Sequence, residues 1–279
     1  MNSIPFTLDS KVAVVTGAGR GIGRAIAARL AAAGAAVMIN DLDSAPASEA
    51  AAAIQQSGGR AAYLAGDVTA PDFAQKLVEA AITSFGGLDI IVNNAGYTWD
   101  NVIQKTTDDQ FLNMLNIHLV APFRILRAAS AHIRETAKRE TAEGRRVMRK
   151  VVNITSIAGT DGNAGQAGYS SGKAGVIGLT KTMAKEWGRY NVNVNAVGFG
   201  MIETRLTQPI TPRGATIDVQ GRQIAVGVQP KMLEALKTVC PLGRAGTPDE
   251  AADAVLFFCS QLSNYITGEI LICGGGMHF

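Results

Sequence analysis

The chain has 279 residues, of which 47% are hydrophobic, 18% are charged and 6% are aromatic, and its formal net charge is +3. This length suits one α/β domain of ordinary size, and the low charge with normal apolar content excludes a long disordered chain. The sequence contains no run of about 18 apolar residues that could cross a membrane, and 1–11 lacks the apolar stretch of a signal peptide. A soluble, folded protein without a membrane partner is therefore expected.

The cysteines and histidines argue against disulfide and metal chemistry. Cys240, Cys259 and Cys273 are odd in number, and their spacing fits neither a disulfide framework nor a CxxC metal pair. The three histidines show no zinc-binding spacing, so no metal is expected. Reduced thiols predict a cytoplasmic protein, and the small net charge gives no reason to expect a nucleic-acid partner.

Short apolar runs rich in Val and Ile alternate along the chain with longer segments of helical period. The predicted strands are Val12–Val15, Ala36–Ile39, Ala62–Leu64, Ile90–Val92, Val151–Ile154, Val192–Ala196 and Ile270–Ile272. The predicted helices are Gly21–Ala33, Pro46–Ser57, Pro71–Phe85, Asp108–Ala131 or beyond, Tyr169–Trp187 and Pro248–Ser260. Such alternation implies right-handed crossovers between parallel strands. The predicted fold class is therefore α/β: a single-domain, Rossmann-like, doubly wound parallel sheet of about seven strands with helices on both faces.

Two segments interrupt this alternation. Segment 132–150 holds seven Lys or Arg against three Glu and is predicted to be a basic extension of a helix followed by a loop. It either suits an acidic partner or is a solvated helix end. Segment 198–229 follows the sixth predicted strand and is rich in Gly, Pro, Thr and Gln. A long irregular stretch after the carboxyl end of such a strand is typical of a ligand-binding loop or lid, so this segment is the predicted substrate loop.

A glycine-rich turn follows the first predicted strand and precedes the first predicted helix. Its glycines do not fit GxGxxG, because Ile22 stands at the last position; Gly17, Gly21 and Gly23 fit GxxxGxG instead. In a strand–turn–helix context, free N–H groups and the positive end of the helix dipole form an anion site that suits the phosphates of a dinucleotide. A plain tight turn is the alternative.

An acidic residue, Asp41, follows the second predicted strand, about twenty residues beyond the turn. There it would accept hydrogen bonds from an adenosine ribose and repel a 2′-phosphate, so NAD is favoured over NADP as the cofactor. Arg20 argues for the opposite preference, since its guanidinium could pair with a 2′-phosphate, and NADP stays possible. The alternative for Asp41 is a solvated aspartate at the start of a loop.

Tyr169 and Lys173 lie one helical turn apart at the start of a predicted helix, so their side chains point to one face. Ser156 comes at the end of the fifth strand. A tyrosine with a pKa near 10 is a poor base at neutral pH, but a neighbouring ammonium and a positive nicotinamide would stabilise the phenolate. Tyr169 could then exchange a proton with a substrate oxygen held by Ser156 while hydride moves at carbon. An ordinary surface Tyr–Lys pair is the alternative.

Taken in this order, the motifs resemble those of the short-chain dehydrogenase/reductase family over essentially the whole chain. The matching motifs are TGAGRGIG (Thr16–Gly23), Asp67-Val68, NNAG (Asn93–Gly96), Ser156, Tyr169-x-x-x-Lys173, and Asn195-Ala196-Val197 leading to Ile202 and Thr204. The resemblance implies an NAD(P)-dependent enzyme that interconverts a ketone and a secondary alcohol, in one domain that spans 1–279. It implies that the glycine turn, Asp41, Tyr169 and Lys173 contact the cofactor. It also implies further contacts: Asp67 and Val68 at the adenine, Asn94, Ala95 and Gly96 at the ribose, and Ile202 and Thr204 at the nicotinamide carboxamide.

Three positions depart from the family pattern. His118 stands where the family places an Asn whose main-chain carbonyl helps to hold a water that links the catalytic lysine to solvent. A backbone role survives this change, so His118 is kept as a candidate catalytic residue, with a packed helix histidine as the alternative. Phe199-Gly200 replaces Pro-Gly, which removes a φ constraint and predicts a looser start of the loop. Cys273 replaces an Asp and is expected to pack rather than react.

The stretch GNAGQAGYSSGKAGVIGLTK resembles the 3-oxoacyl-ACP reductase branch of the family. It implies a 3-oxoacyl thioester reductase or a 3-hydroxyacyl-CoA dehydrogenase, acting on a thioester of CoA or acyl carrier protein that segment 132–150 could attract. A hydroxysteroid or other hydrophobic-alcohol dehydrogenase is the alternative, and a cofactor-binding regulator without catalysis is a further one. The resemblance also implies a homotetramer, or a homodimer, with 108–131 and 169–187 at one interface.

Overall fold

The computed structural model of the chain describes 6–207, 215–219, 221–228 and 230–277, so parts of the predicted domain at 1–279 and of the predicted substrate loop lie outside the described residues. The strands are β1 (Val12–Val15), β2 (Ala36–Asp41), β3 (Arg60–Ala65), β4 (Ile90–Asn93), β5 (Arg149–Ser156), β6 (Val192–Phe199), β7 (Ala215–Val219), β8 (Arg222–Val226) and β9 (Ile270–Cys273). The helices are α1 (Gly21–Ala32), α2 (Ser44–Gln56), α3 (Phe73–Phe85), α4 (Asp108–Leu115), α5 (Ala121–Ala142), α6 (Ile157–Thr160), α7 (Ala167–Trp187), α8 (Pro230–Val239) and α9 (Pro248–Cys259). Within the described ranges, no helix is both long enough and apolar enough to cross a membrane.

Seven parallel strands form the central sheet, in the order β3-β2-β1-β4-β5-β6-β9. β1, β2, β4 and β6 are buried along their whole length, which explains their runs of Val and Ile without the alternation of a half-exposed strand. The predicted doubly wound parallel sheet is confirmed. All seven predicted strands are present, with ends that differ by a few residues.

Helices cover both faces of the sheet with apolar layers. On one face, α1 and α9 pack against the strands through residues such as Ile26, Leu30 and Val255. On the other face, α3 and α5 pack through residues such as Leu77 and Ile125. These layers hold the carboxyl ends of the strands in one row, where the loops that carry the predicted site residues begin.

The predicted helix that begins at Asp108 is not continuous. α4 ends at Leu115, a π-helical turn follows at Asn116–Val120, and α5 runs on to Ala142. Pro122 is the second residue of α5, and because it has no N–H it cannot complete the regular hydrogen-bond pattern there. Turns of this kind are rare and frequently lie at functional sites. Apolar periodicity does not register one extra residue in a helical turn, so the sequence pattern could not show the break.

The predicted substrate loop contains a β-hairpin that was not predicted from the sequence. β7 and β8 form an antiparallel hairpin in which Ile217 pairs with Ile224, and Gly221 before β8 has a φ of 78°. The segment TIDVQGRQIAV carries the alternation of a half-buried hairpin around a glycine, so a usable signal was present. α8 was also not predicted, although Pro230 stands at its first position, where proline favours a helix start.

Candidate active site

A cavity of about 690 Å³ opens at the carboxyl edge of the sheet. Every residue assigned from the sequence to catalysis or cofactor contact lines it: Gly17, Arg20, Gly21, Ile22, Gly23, Asp41, Asp67, Val68, Asn94, Ala95, Gly96, His118, Ser156, Tyr169, Lys173, Ile202 and Thr204. The fold therefore brings residues that are far apart in the sequence into one site.

The glycines of the turn after β1 are required by close backbone approach. A Cβ on Gly23 would overlap the carbonyl oxygen of Gly17, and one on Gly17 would lie 2.8 Å from the Cα of Ala95. Gly21 has space around it, but its φ of 54° is one that other residues rarely adopt. The first turn of α1 lines the cavity without a side-chain cap, so its free N–H groups suit an anion. This cradle fits the pyrophosphate of a dinucleotide.

Asp41 ends β2 at the rim of the cavity, with its carboxylate fixed by the main chain. Its Oδ2 accepts the N–H of Gly19 at 2.9 Å, and its Oδ1 accepts the N–H of Asp43 at 3.2 Å. Arg20 pairs with Asp43, with 2.8 Å between Nη1 and Oδ2, and lies 3.7 Å from Asp41. The guanidinium that could hold a 2′-phosphate is therefore already engaged in an ion pair.

Asn94 and Thr16 join the loop after β4 to the glycine turn. The Nδ2 of Asn94 donates to the carbonyl oxygens of Thr16 at 2.9 Å and of Gly17 at 3.2 Å. The hydroxyl oxygen of Thr16 accepts the N–H groups of Asn94 and Ala95, both at 3.0 Å. Asn94 thus shapes the cradle as well as lining the cavity. Thr16 is a supporting residue that was not singled out, and its place beside Gly17 was the available signal.

The remaining predicted cofactor residues lie at two other parts of the rim. Asp67 and Val68 follow β3, and Val68 is buried. Ile202 and Thr204 follow β6; Ile202 is buried, and the N–H of Thr204 donates to the hydroxyl of Thr207 at 2.8 Å. Both pairs thus sit on loops at strand carboxyl ends, as in other open α/β sheets that bind ligands.

Ser156, Tyr169 and Lys173 come together at the end of β5 and the start of α7. The Nζ of Lys173 donates to the carbonyl oxygen of Ile154 at 2.8 Å and lies 5.7 Å from the centre of the Tyr169 ring. The hydroxyl of Ser156 donates to the carbonyl oxygen of Phe199 at 3.4 Å. A hydroxyl donor, a phenol and an ammonium facing one cavity can hold an oxygen and move a proton to or from it.

Burial governs the protonation of Tyr169 and Lys173. It raises the pKa of Tyr169 to about 12, and a hydrogen bond with Ser156 partly opposes this rise. Burial also lowers the pKa of Lys173 to about 7, because the ammonium loses contact with water. At neutral pH Tyr169 is therefore protonated, and the site presents a proton donor beside Ser156.

His118 lies on the π-helical turn, where it is buried against Tyr169. Its Nε2 donates to the carbonyl oxygen of Tyr97 at 2.8 Å, and its ring meets that of Tyr169 edge-on with 4.9 Å between centroids. Because Nε2 carries the proton, Nδ1 is an acceptor, and it has no hydrogen-bond partner among the described residues. Burial, with a smaller effect from the charge of Lys173, lowers the pKa of His118 well below its ordinary value, so the ring is neutral. Gly172 allows this close packing, since a Cβ there would lie 2.9 Å from the Cβ of His118.

Phe199 and Cys273, the other two departures from the family pattern, pair with each other in the sheet. Phe199 is in register with Ser156 on one side and Cys273 on the other, and the N–H of Gly200 donates to the carbonyl oxygen of Cys273 at 3.1 Å. Strand pairing therefore holds the backbone of Phe199 and Gly200, and the looser start of the loop beyond them stays a prediction. Burial raises the pKa of the Cys273 thiol, so it stays protonated.

Asp100, Gln166 and Asn163 form a polar cluster in the cavity that was not predicted. The Nε2 of Gln166 donates to Oδ2 of Asp100 at 2.7 Å, and Oε1 of Gln166 accepts from Nδ2 of Asn163 at 3.0 Å. Both ends of the amide are thereby fixed, and within the described part of the chain its second N–H is left to face a ligand. The available signal was the position of Gln166 one turn before Tyr169.

The basic segment 132–150 lies at the opposite, amino edge of the sheet. α5 carries it away from the cavity, and β5 begins within it at Arg149. The guanidinium of Arg149 is buried and donates to both carboxylate oxygens of Glu140, at 2.7 and 2.8 Å. Lys150 is buried as well. This placement corrects the expectation that the segment attracts a thioester substrate to the site, because it lies at the wrong edge and part of its charge is inside the fold.

A doubly wound parallel sheet with a glycine-rich turn after β1, and with Ser156, Tyr169 and Lys173 at its carboxyl edge, defines a dinucleotide-dependent oxidoreductase of the short-chain type. Over 17–278 the chain matches the family model described as Enoyl-(Acyl carrier protein) reductase. The chain belongs to the short-chain dehydrogenase/reductase family, and the resemblance inferred from its motifs is confirmed.

The chain is also similar to individual relatives and solved structures. The 3-oxoacyl-[acyl-carrier-protein] reductase FabG of Vibrio cholerae serotype O1 is 38% identical over 273 residues, which cover 98% of this chain and 99% of that protein. The protein of the same name from Aquifex aeolicus is 36% identical, with 97% and 98% covered. Among solved structures, a short-chain type dehydrogenase/reductase from Mycobacterium marinum has a TM-score of 0.81 at 26% identity, over 98% of this chain and 96% of that one. A gluconate dehydrogenase candidate from Agrobacterium tumefaciens has a TM-score of 0.83 at 31% identity, over 99% and 98%.

Proposed function

We propose that this chain reduces the ketone of a 3-oxoacyl thioester to a secondary alcohol, with a nicotinamide dinucleotide as the cofactor and either CoA or acyl carrier protein as the carrier. The observation that carries the proposal is the convergence of Ser156, Tyr169 and Lys173 in one cavity with a dinucleotide cradle. The substrate class is supported by the relatives named 3-oxoacyl-[acyl-carrier-protein] reductase.

In this reaction Ser156 donates a hydrogen bond to the ketone oxygen, and Tyr169 gives that oxygen its proton. A bound nicotinamide dinucleotide supplies the hydride that reduces the carbon. Lys173, anchored on the carbonyl of Ile154, places its ammonium near the phenol and stabilises the phenolate that remains. In the reverse direction the same phenolate accepts a proton from the alcohol.

The free N–H of Gln166 favours a substrate with a second oxygen close to the ketone. A 3-oxoacyl thioester carries such an acceptor in its thioester carbonyl, whereas the isolated ketone of a steroid does not. The amide, held at both ends by Asp100 and Asn163, can donate to the thioester carbonyl and meets no such acceptor on the steroid. This supports the thioester over the hydroxysteroid alternative, and the intact Ser156, Tyr169 and Lys173 argue against a non-catalytic regulator.

The cofactor is proposed to be NAD, because the Asp41 carboxylate is fixed at the rim while Arg20 is paired with Asp43. The proposed contacts are those predicted from the sequence: Gly17, Arg20, Gly21, Ile22 and Gly23 at the turn, Asp41, Asp67 and Val68 at the adenosine, Asn94, Ala95 and Gly96 on the ribose side of the cofactor, and Tyr169, Lys173, Ile202 and Thr204 around the nicotinamide.

His118 acts on catalysis through Tyr169 in this proposal. Its ring is anchored on the carbonyl of Tyr97 and packs edge-on against the phenol, so it limits where the hydroxyl can lie. After turnover the phenolate takes a proton from Lys173, and the Nδ1 of His118, which has no partner among the described residues, is assigned a place in the path by which Lys173 regains a proton from solvent. In the family this path runs by a water held on the main-chain carbonyl of an Asn.

Assembly, compartment and domain number are proposed as predicted. Leu112 on α4 and Phe123 on α5 are exposed apolar residues, which supports an interface of 108–131 and 169–187 in a homotetramer or homodimer. Free thiols support a cytoplasmic compartment. One continuous sheet supports a single domain.

Reduction of acetoacetyl-CoA with NADH and with NADPH, measured in parallel, tests the proposed function. We expect turnover with NADH, a much lower kcat/KM with NADPH, and oxidation of 3-hydroxybutyryl-CoA by NAD in the reverse direction. No turnover of any 3-oxoacyl thioester, together with turnover of sterols or other apolar alcohols, would contradict the proposal and favour a hydroxysteroid or other hydrophobic-alcohol dehydrogenase. Cofactor binding without any turnover would favour the regulator.

Replacement of Asp41 with asparagine is expected to raise the NADPH-to-NADH ratio of kcat/KM by about tenfold or more. The reason is that a like charge about 4 Å from a 2′-phosphate costs about 1–4 kcal/mol at a protein surface. Asparagine keeps an oxygen for the N–H of Gly19, so the turn is preserved. Glu49→Gln, an exposed change on the neighbouring α2, is the charge-matched control and should leave the ratio unchanged. Wild-type turnover with NADPH alone would show that Arg20 outweighs Asp41.

A further inference from the structure

The hairpin of β7 and β8 closes one side of the catalytic cavity with aliphatic surface. Ile217 and Val219 of β7 line the cavity with aliphatic side chains. Asp218 between them also lines it, and its carboxylate accepts hydrogen bonds within the hairpin from the N–H of Gly221 and the Nε2 of Gln223. Ile224 and Val226 of β8 belong to the same apolar cluster but are not among the lining residues. Proton transfer at Tyr169 does not require an aliphatic surface. The surface formed by Ile217 and Val219, called the wall below, therefore has another role.

Tyr97 connects this wall to the reacting groups. Its ring packs against the hairpin cluster and lines the cavity. Its carbonyl oxygen accepts the Nε2 of His118, whose ring touches Tyr169. Tyr97 therefore links the wall to His118 and Tyr169, and all of them line the same cavity.

Arg222 docks the hairpin onto the rest of the molecule. Its Nη1 lies 3.2 Å from Oδ2 of Asp109 in the first turn of α4, and its Nη2 donates to Oδ1 at 3.4 Å. Its Cζ lies 5.7 Å from the ring centre of Trp99, within cation–π range. Trp99 also packs in the hairpin cluster. One arginine therefore holds the hairpin by an ion pair and an aromatic contact, both outside the cavity.

We propose that the wall of Ile217 and Val219 binds the aliphatic acyl chain of the substrate, and that Arg222 is a positioning residue that sets the preference for chain length. The inference rests on the proposed function, because it assumes an alkyl chain attached to the reacting ketone. Each methylene buried against such a wall is expected to raise kcat/KM by about fourfold until the wall is covered.

A homologous series of 3-oxoacyl-CoA substrates, from the four-carbon to the twelve-carbon chain, tests the proposal. In the wild type kcat/KM should rise with chain length and then level off. Ile217→Ala and Arg222→Gln should leave the four-carbon substrate within about twofold of wild type and lower the longest chains by about tenfold, mainly through KM. Arg134→Ala, an exposed charge change on α5, is the matched control and should leave the series unchanged.

Asp109→Asn separates the role of Arg222 as a dock from that of its charge. If Arg222 acts through Asp109, the double variant Arg222→Gln/Asp109→Asn should lose no more kcat/KM on the longest chains than the stronger of the two single variants. Equal losses for short and long chains in Arg222→Gln, or a wild-type series without dependence on length, would overturn the proposal.

Trp99 provides a readout that does not depend on turnover. The chain has two tryptophans, so Trp187→Phe leaves Trp99 as the single reporter. In this background, 3-hydroxydodecanoyl-CoA should change the Trp99 emission and 3-hydroxybutyryl-CoA should not. If no 3-oxoacyl thioester is reduced, the proposed function fails; a chain-length-dependent emission change with secondary alkanols would then still support the wall. Emission that responds to neither series would overturn the inference even if reduction is observed.

Discussion

Replacement of Tyr169 with phenylalanine is expected to lower kcat by about 10²- to 10⁴-fold, the usual contribution of a positioned proton donor. The ring would still fill the same space against His118, so the fold and cofactor affinity should be preserved. The measurement is kcat for acetoacetyl-CoA reduction, with the dissociation constant for NADH determined in parallel. Equal losses in kcat and in NADH binding would show that the phenol serves binding rather than proton transfer.

Tyr265→Phe is the matched control, because it removes the same hydroxyl from a fully exposed tyrosine and should leave kcat unchanged. Residual activity in Tyr169→Phe within about tenfold of wild type would contradict the assigned role, since general acid catalysis contributes about 10²-fold or more.

The pH dependence of the two directions should differ for the same physical reason. Burial raises the pKa of Tyr169 to about 12, so the phenol is already protonated when it must donate a proton to a ketone. Oxidation of the alcohol requires the phenolate and should therefore rise from neutral to alkaline pH. Reduction requires the protonated phenol and the Lys173 ammonium, whose pKa burial lowers to about 7, so its rate should fall over the same range.

Replacement of Glu140 with alanine is expected to lower the free energy of unfolding by about 3–5 kcal/mol. Glu140 accepts two hydrogen bonds from Arg149, and both side chains are almost completely buried. Removal of the carboxylate leaves a buried guanidinium with only the distant carboxylate of Asp89, 3.9 Å from its Nε, as an ionic partner among the described residues. Urea unfolding at neutral pH measures the loss.

Glu143→Ala is the matched control, because Glu143 pairs with Arg145 at the same end of α5 but on the exposed surface. It should produce no measurable change. A second comparison is Glu140→Leu combined with Arg149→Met, which removes both charges and should recover most of the lost stability. A Glu140→Ala protein as stable as wild type would show that water reaches Arg149 and that the pair is not isolated from solvent.

Acid sensitivity provides a second readout of the same pair. The hydrogen bonds from Arg149 hold the pKa of Glu140 below its ordinary value of 4.5. A carboxyl whose pKa is lower in the folded state contributes stability above its unfolded pKa and loses it as the pH falls through the folded one. Wild-type stability should therefore fall more steeply below about pH 4.5 than that of Glu140→Gln.

The parts of the site that depend on local spacing could be predicted from the sequence. The glycine turn, the Tyr169–Lys173 pair and Asp41 at the end of β2 require only that neighbouring residues adopt a regular strand or helix. The apolar runs of the buried strands determine the sheet in the same way, since residues buried on both faces leave a continuous pattern. These features can therefore be predicted without knowledge of how distant segments pack.

Contacts between distant segments were decided only by the tertiary structure. His118 meets Tyr169 because a π-helical turn rotates it toward α7 and Gly172 leaves room for it. The charges of segment 132–150 face away from the cavity because strand polarity places the start of β5 at the opposite edge. Arg222 reaches Asp109 and Trp99 only after the hairpin has folded back over the cavity. Periodicity and spacing encode which face of a helix or strand is buried, but they do not give the distances between residues on different elements. Those distances determine the protonation of Tyr169 and the shape of its pocket.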